Sequence, residues 1–201
     1  MKNPIVDLLV KTNAIRFGAF TLKSGEPSPI FIDLGRVSDG RSLAEIGEAF
    51  AEATLRFFPT ITHLFGPAYK GISLATSTAI ALTARNKNIE TLFDRKEPKA
   101  HGEGGVFIGA EPTPSAQIVV IDDVTTSGKT KIDAFARLEA AFGAKPIGVL
   151  VAVDRSRGKA ARELAAFNVR ALISLSDIAA HLEATQAPQA ASIRNYVEMP
   201  A

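Results

Sequence analysis

The sequence contains no cysteine. That rules out a disulfide framework and any thiolate-ligated metal centre, and a cytoplasmic protein is the expectation. No apolar run approaches the length of a bilayer span, so no membrane partner is expected. The opening residues, Met1-Lys2-Asn3-Pro4 followed by Asp7, lack the uninterrupted apolar core of a secretory signal. Excess charge is also lacking. The formal net charge is only +2, too little to point to nucleic acid, so any anion site has to be local. There is no internal repeat, no long linker, no Ser/His/Asp triad and no two-histidine metal pattern. What remains is a chain of 201 residues, enough for one α/β domain with a full core.

The stretch Gln117–Thr130, QIVVIDDVTTSGKT, organises that chain. Ile118, Val119, Val120 and Ile121 form a β-branched run suited to a strand buried on both faces of a parallel sheet. Asp122 and Asp123 follow at its carboxyl end. Then come Val124 and the hydroxylic loop Thr125-Thr126-Ser127-Gly128-Lys129-Thr130, leading into a helical pattern with Ile132, Phe135, Ala136, Leu138 and Glu139. A strand–loop–helix of this kind aims backbone N–H groups and a helix N-terminus at one point, which suits a phosphate. The ending Gly-Lys-Thr looks like the tail of a nucleotide P-loop, but that motif needs glycine where Asp123 stands. A carboxylate there would repel a triphosphate. Two acids beside a phosphate cradle suit a ligand carrying a diol, a bound Mg²⁺ or both, as a ribose 5-phosphate does. The bland alternative is that the acids merely cap a turn.

Other segments read as follows. Residues 2–13 form a short amphipathic helix. Ala19–Leu22 and Ser28–Ile32 form a hairpin turned at Lys23-Ser24-Gly25. Arg41–Phe57 is a helix opened by a capping box of Ser42 and Glu45. His63–Phe65 is a strand, and Gly66-Pro67-Ala68-Tyr69-Lys70-Gly71 leads from it into an apolar helix through about Arg85. Lys70 stands where the helix dipole disfavours a cation, and a bound anion would remove that conflict. Between the strands Glu90–Phe93 and Val106–Ile108 lies DRKEPKAHGEGG. It carries Arg95, Lys96, Lys99 and His101 with three glycines, the composition of a mobile lid or of an ordinary solvated loop. Gly143 is a plausible helix C-cap. Ile147–Val153 is a buried strand ending at Asp154-Arg155, Lys159–Phe167 a short helix and Arg170–Ser174 a last strand. Ser176 caps a final helix, and 184–191 has no clear structure.

The run ending in DDVTTSGKT resembles the PRPP (phosphoribosyl pyrophosphate) signature of type I phosphoribosyltransferases. FTLKSGEPSPIFID, FGPAYKG and RKEPKAHGEGG resemble, in order, the hood, pyrophosphate loop and lid of the orotate phosphoribosyltransferase family. The resemblance spans most of residues 14–177. It implies an α/β fold with a mainly parallel central sheet flanked by helices and a small N-terminal hood. The implied layout is a single domain over 1–201, with a hood of about 1–40 plus C-terminal elements and a core of about 41–175.

The implied reaction joins orotate and PRPP to give orotidine 5′-monophosphate and pyrophosphate, with Mg²⁺. Lys70, Lys96, Lys99, His101, Asp122 and Asp123 would be catalytic. PRPP would also meet Lys23, Tyr69, Arg95, Val124, Thr125, Thr126, Ser127, Gly128, Lys129 and Thr130. Orotate would meet Lys23, Phe31, Ile32, Thr126 and Arg155. Mg²⁺ would arrive on PRPP, with Asp122 and Asp123 as candidate ligands. A homodimer is implied, with lid residues 95–105 serving the neighbouring site. Ile32 departs from the family, where many members carry a second aromatic. The alternatives are a phosphoribosyltransferase for another base, or a PRPP-sensing regulator.

Overall fold

The β-branched run at 118–121 lies where such a run is soluble only by burial, in the middle of a sheet covered on both faces. The computed structural model describes residues 3–22, 25–95, 105–125, 129–156, 164 and 166–199, with the side chains of 129 and 130 excepted. Strand β6 (Ile118–Thr125) sits between β3 (His63–Gly66) and β7 (Gly148–Asp154), parallel to both. β4 (Glu90–Asp94) pairs parallel with β3, and β8 (Val169–Ser174) with β7. β5 (Phe107–Gly109) is the antiparallel edge, giving the order β5-β4-β3-β6-β7-β8.

Period-two alternation divides β6 between two cores. Val119 and Ile121 join a cluster with Ile46 and Phe50 of α2 (Gly40–Phe57) and Leu74 and Ala75 of α3 (Lys70–Thr83). Ile118 and Val120 face the other way, onto Ala134, Phe135 and Leu138 of α4 (Lys129–Phe142). Gly143, in the left-handed region at φ +67°, ends α4 as expected of a C-cap.

β1 (Ile15–Thr21) and β2 (Pro27–Ile32) form a separate antiparallel hairpin, bulged between Phe17 and Phe20. Helix α1 (Pro4–Lys11) precedes it, capped by Asn3. α5 (Leu175–Leu182) and α6 (Ala187–Glu198) close the chain, and α6 packs on α5 and β2. His181 ties the two ends together. Its Nδ1 accepts from the Asn3 amide at 2.8 Å, and its Nε2 lies 2.9 Å from Asp7. Among the described residues no helix is long and apolar enough to cross a membrane.

Several expectations are corrected. β6 runs on through both acids to Thr125, so Thr125, expected to open the loop, is strand. α2 is opened by Asp39, which accepts from the amides of Arg41 and Ser42 and from the Ser42 hydroxyl; Glu45 is exposed and plays no part in the cap. An aspartate two residues ahead of the expected start offers a charged acceptor that outcompetes a hydroxyl. Ser174, in a capping box with Asp177, opens α5 in place of Ser176. Residues 187–198, read as unstructured in their first part, are helical, and Ala190, Ile193 and Tyr196 bury one face. β1 begins at Ile15 and β5 one residue after the expected Val106. The helix expected at 159–167 falls mostly outside the described residues.

Candidate active site

α3 carries the chain from β3 outward to β4, and α4 carries it from β6 the opposite way to β7. The carboxyl ends of β3 and β6 therefore flank the crevice where open α/β sheets bind ligands. The turn from β3 into α3 is packed backbone on backbone. A Cβ on Gly66 would stand 2.3 Å from the Gly71 carbonyl oxygen, so no side chain fits. The Ala68 amide donates to Asp94 Oδ1 at 2.6 Å, and Arg137 of α4 holds Oδ2 of the same carboxylate at 2.6 Å.

This fastened turn delivers Lys70 as the first residue of α3. Its Nζ lies 2.9 Å from Asp33 Oδ1 and 3.0 Å from Asp123 Oδ2. The cation that the helix dipole opposes is thus met by two carboxylates, one just after the hairpin and one on β6. The Lys70 hydrogen bond holds the Asp33 carboxyl below its ordinary range. For Lys70, burial alone would lower the ammonium, but the bonds to Asp33 and Asp123 outweigh it and the net direction is up.

Asp122 and Asp123, adjacent in sequence, leave β6 on opposite faces. Asp123 meets Lys70 on the α3 side. Asp122 meets Lys131 of α4, Nζ to Oδ2 at 2.6 Å, and the same ammonium donates to the Val124 carbonyl at 2.7 Å. The two acids expected at the end of this strand are thus held by different helices. Because β6 continues past them, alternation sends each to a different helix. Burial pushes the Asp122 carboxyl up, the Lys131 charge opposes that, and the neighbouring Asp123 adds to the rise.

The other expected residues are placed unevenly. Tyr69 precedes α3 and is 68% exposed. The Arg95 amide donates to the Val106 carbonyl at 2.7 Å, closing the base of segment 95–105. Lys23, Lys96, Lys99, His101, Thr126, Ser127 and Gly128 lie outside the described residues, as do the side chains of Lys129 and Thr130 in the first turn of α4. Val124 is half-buried, and Thr125 is buried with no hydrogen-bond partner for Oγ1 among the described residues. Arg155 is buried and donates through one amino group to Ser28 Oγ at 3.1 Å, reaching across to β2. Ser28, Ile30 and Ile32 share the buried face of β2. Phe31 takes the other face, with its ring 5.5 Å from Phe20 and the Arg16 guanidinium 4.9 Å from its centroid. Phe31 and Arg155 are thus not brought to one face of the hairpin.

Sequence reasoning missed Asp33, Asp94 and Lys131. Only Lys131 left a signal. With Ala134, Phe135 and Leu138 it completes the i, i+3, i+4, i+7 buried stripe of α4, where an unpaired lysine would not be tolerated. Among the described residues no three metal-ligating side chains converge. Carboxylates already shared with lysines fit Mg²⁺ carried in on ligand oxygens better than a dedicated protein cage.

Comparison with known proteins accords with this geometry. The family described as phosphoribosyl transferase domain matches residues 36–185, which include Lys70, Asp122, Asp123 and Arg155. The orotate phosphoribosyltransferase of Pseudoalteromonas translucida is 40% identical over 204 residues, covering 95% of this chain and 93% of that one. That of an Enterobacter species is 39% identical over 206 residues, covering 96% and 94%. The crystal structure of orotate phosphoribosyltransferase from Francisella tularensis superposes with a TM-score of 0.81 at 30% identity, over 96% of this chain and 97% of that one. Sheet order, crevice and relatives agree over nearly the full length of each chain, and the chain belongs to the orotate phosphoribosyltransferase family.

Proposed function

We propose that the protein transfers the phosphoribosyl group of PRPP to orotate, giving orotidine 5′-monophosphate and pyrophosphate. The observation that carries this reading is the meeting of Lys70 with Asp123 at the carboxyl ends of β3 and β6. It sets a pyrophosphate-directed cation beside a ribose-directed acid. The bond from the anomeric carbon to the pyrophosphate oxygen breaks, and a bond from that carbon to a ring nitrogen of orotate forms. That nitrogen loses its proton readily, so no side-chain base is required.

Residues 126–130 hold the 5-phosphate, and Val124 and Thr125 at the end of β6 lead the chain to it. Asp123, and Asp122 behind it, stabilise the positive charge that builds at the anomeric carbon. Lys70, Tyr69, Arg95, Lys96, Lys99 and His101 receive the pyrophosphate. Lys23, Ile32, Thr126 and Arg155 form the base site, and Phe31, expected there too, lies on the other face of β2 against Phe20. Mg²⁺ bound to PRPP would neutralise pyrophosphate charge, with Asp123 the carboxylate best placed to touch it. The segment 95–105 excludes water from a reactive substrate and serves the partner's site in a homodimer. The absence of cysteine suits cytoplasmic work.

The test is the fall in orotate ultraviolet absorbance on adding PRPP and Mg²⁺, with uracil, adenine and hypoxanthine in parallel. A fall with orotate alone is the expected result. Turnover of another base instead would overturn the base site and keep the PRPP site. PRPP binding with no turnover of any base would indicate a regulator.

A further inference from the structure

Two lysine–carboxylate contacts stand at the end of β6, and their surroundings differ. Lys70 and its partners Asp33 and Asp123 keep 42%, 30% and 19% of their side chains exposed, so solvent or a ligand can enter the contact. Lys131 and Asp122 keep only 6% and 13%. Each Lys131 interaction is short and directed: 2.6 Å to the carboxylate and 2.7 Å to the Val124 carbonyl. A buried ammonium so held does not leave its partner for a ligand, because the partner would remain as an unpaired buried charge.

We infer that Lys131 is a positioning residue: it locks Asp122 against α4 and leaves Asp123 as the acid that exchanges partners when PRPP enters. With PRPP as the ligand of this site, as proposed above, the two adjacent acids do different work. Asp123 trades its contact with Lys70 for the ribose. Asp122 stays paired and sets the path of β6 through the residues that precede the phosphate loop. The Asp123 amide donates to Asp122 Oδ1 at 2.8 Å, so the locked carboxylate also fixes the backbone that carries its neighbour. Lys131 stands in the first turn of α4 and Asp122 inside β6. Their contact therefore pins the strand end to the helix start directly, independent of the residues between.

The experiment is a double-mutant cycle on PRPP affinity, measured by calorimetry with Mg²⁺, with the KM for orotate measured beside it. Lys131→Met should weaken PRPP binding about tenfold. It should leave the KM for orotate unchanged, a split that general loosening of the fold would not produce. Adding Lys131→Met to Asp122→Asn should weaken binding no further, because the lysine acts through that carboxylate. Losses that multiply for Lys131 with Asp122, or an orotate KM that rises as much as the PRPP dissociation constant, would overturn the inference. If Lys131→Met alone does not fold, the Asp122→Asn/Lys131→Met chain carries the test, since it buries no unpaired charge. It must then bind PRPP as well as Asp122→Asn does. Wild-type protein that binds PRPP but does not consume orotate would refute the proposed function and leave the cycle intact.

Discussion

Lys70 is shared between two carboxylates from different parts of the chain, and the sharing is electrostatically stable only in a pH window. Asp33 is held below its ordinary range by the Lys70 hydrogen bond. In acid the unfolded chain therefore binds more protons than the folded one, and stability rises with pH there. The contribution is whole above the ordinary aspartate value and is lost as pH falls through the depressed folded value. Lys70 is shifted the other way, so the same contact is lost again as pH rises through its raised value. Both side chains remain partly exposed, at 42% and 30%, so water screens the pair. Asp33→Asn keeps an acceptor for the Gly35 amide that Asp33 caps and removes only the charge. It should cost about 0.5 kcal/mol at neutral pH, or about 1–2 °C in Tm for a chain of this size. The difference should close as pH falls below the ordinary aspartate value and through the depressed folded one. Thermal melts of both proteins across pH 2.5–7.5, a range chosen to bracket the carboxylate transition, check this. A gap independent of pH would mean that the Asp33 charge does no stabilising work.

At the scale of elements, cap chemistry decides where helices begin. Ser174 donates its hydroxyl to Asp177 while the Asp177 amide donates back to Ser174 Oγ, so the turn into α5 satisfies its own free groups. Ser174→Ala should lower unfolding free energy by about 1 kcal/mol. Ser176→Ala, at an exposed position in the first turn, should stay within about 0.5 kcal/mol of wild type. Urea midpoints at constant slope separate the two, and a larger loss at Ser176 would return the cap to that residue. The same physics explains what was legible. β3, β6 and β7 showed themselves because strands buried on both faces must be continuously apolar. α6 did not, because its buried face is only Ala190, Ile193 and Tyr196 in a segment of alanine, glutamine and proline. Packing on α5 and β2, which no local pattern reports, holds it helical. Lys70, Asp122 and Asp123 were legible from motif and position. The partition of the two acids was not, because it depends on β6 continuing to Thr125, and the roles of Asp33 and Asp94 depend on loops brought together only by the sheet.

For the whole molecule, the site as described in one chain is rich in acids and short of cations. Among the described residues Asp33, Asp122 and Asp123 are ion-paired with Lys70 and Lys131, and a polyphosphate needs more positive charge than these leave free. The sequence supplies it in Lys96, Lys99 and His101. The described ends of their segment meet at the β4–β5 edge through the Arg95–Val106 backbone bond, two strands away from β6 in the sheet. In the proposed homodimer this segment serves the partner's site, so each complete site draws Lys99 from one chain and Asp123 from the other. Lys99→Ala and Asp123→Asn should each be nearly inactive alone. Mixed, unfolded together and refolded, they should regain activity, because half the dimers are hybrids and each hybrid has one site with both residues intact. Random two-chain assembly limits the recovery to about a quarter of wild-type specific activity. Orotate consumption before and after co-refolding is the measurement. Recovery near that level would establish a lid acting between subunits. No recovery, with dimers present by sedimentation, would mean that each chain closes its own segment over its own Asp123.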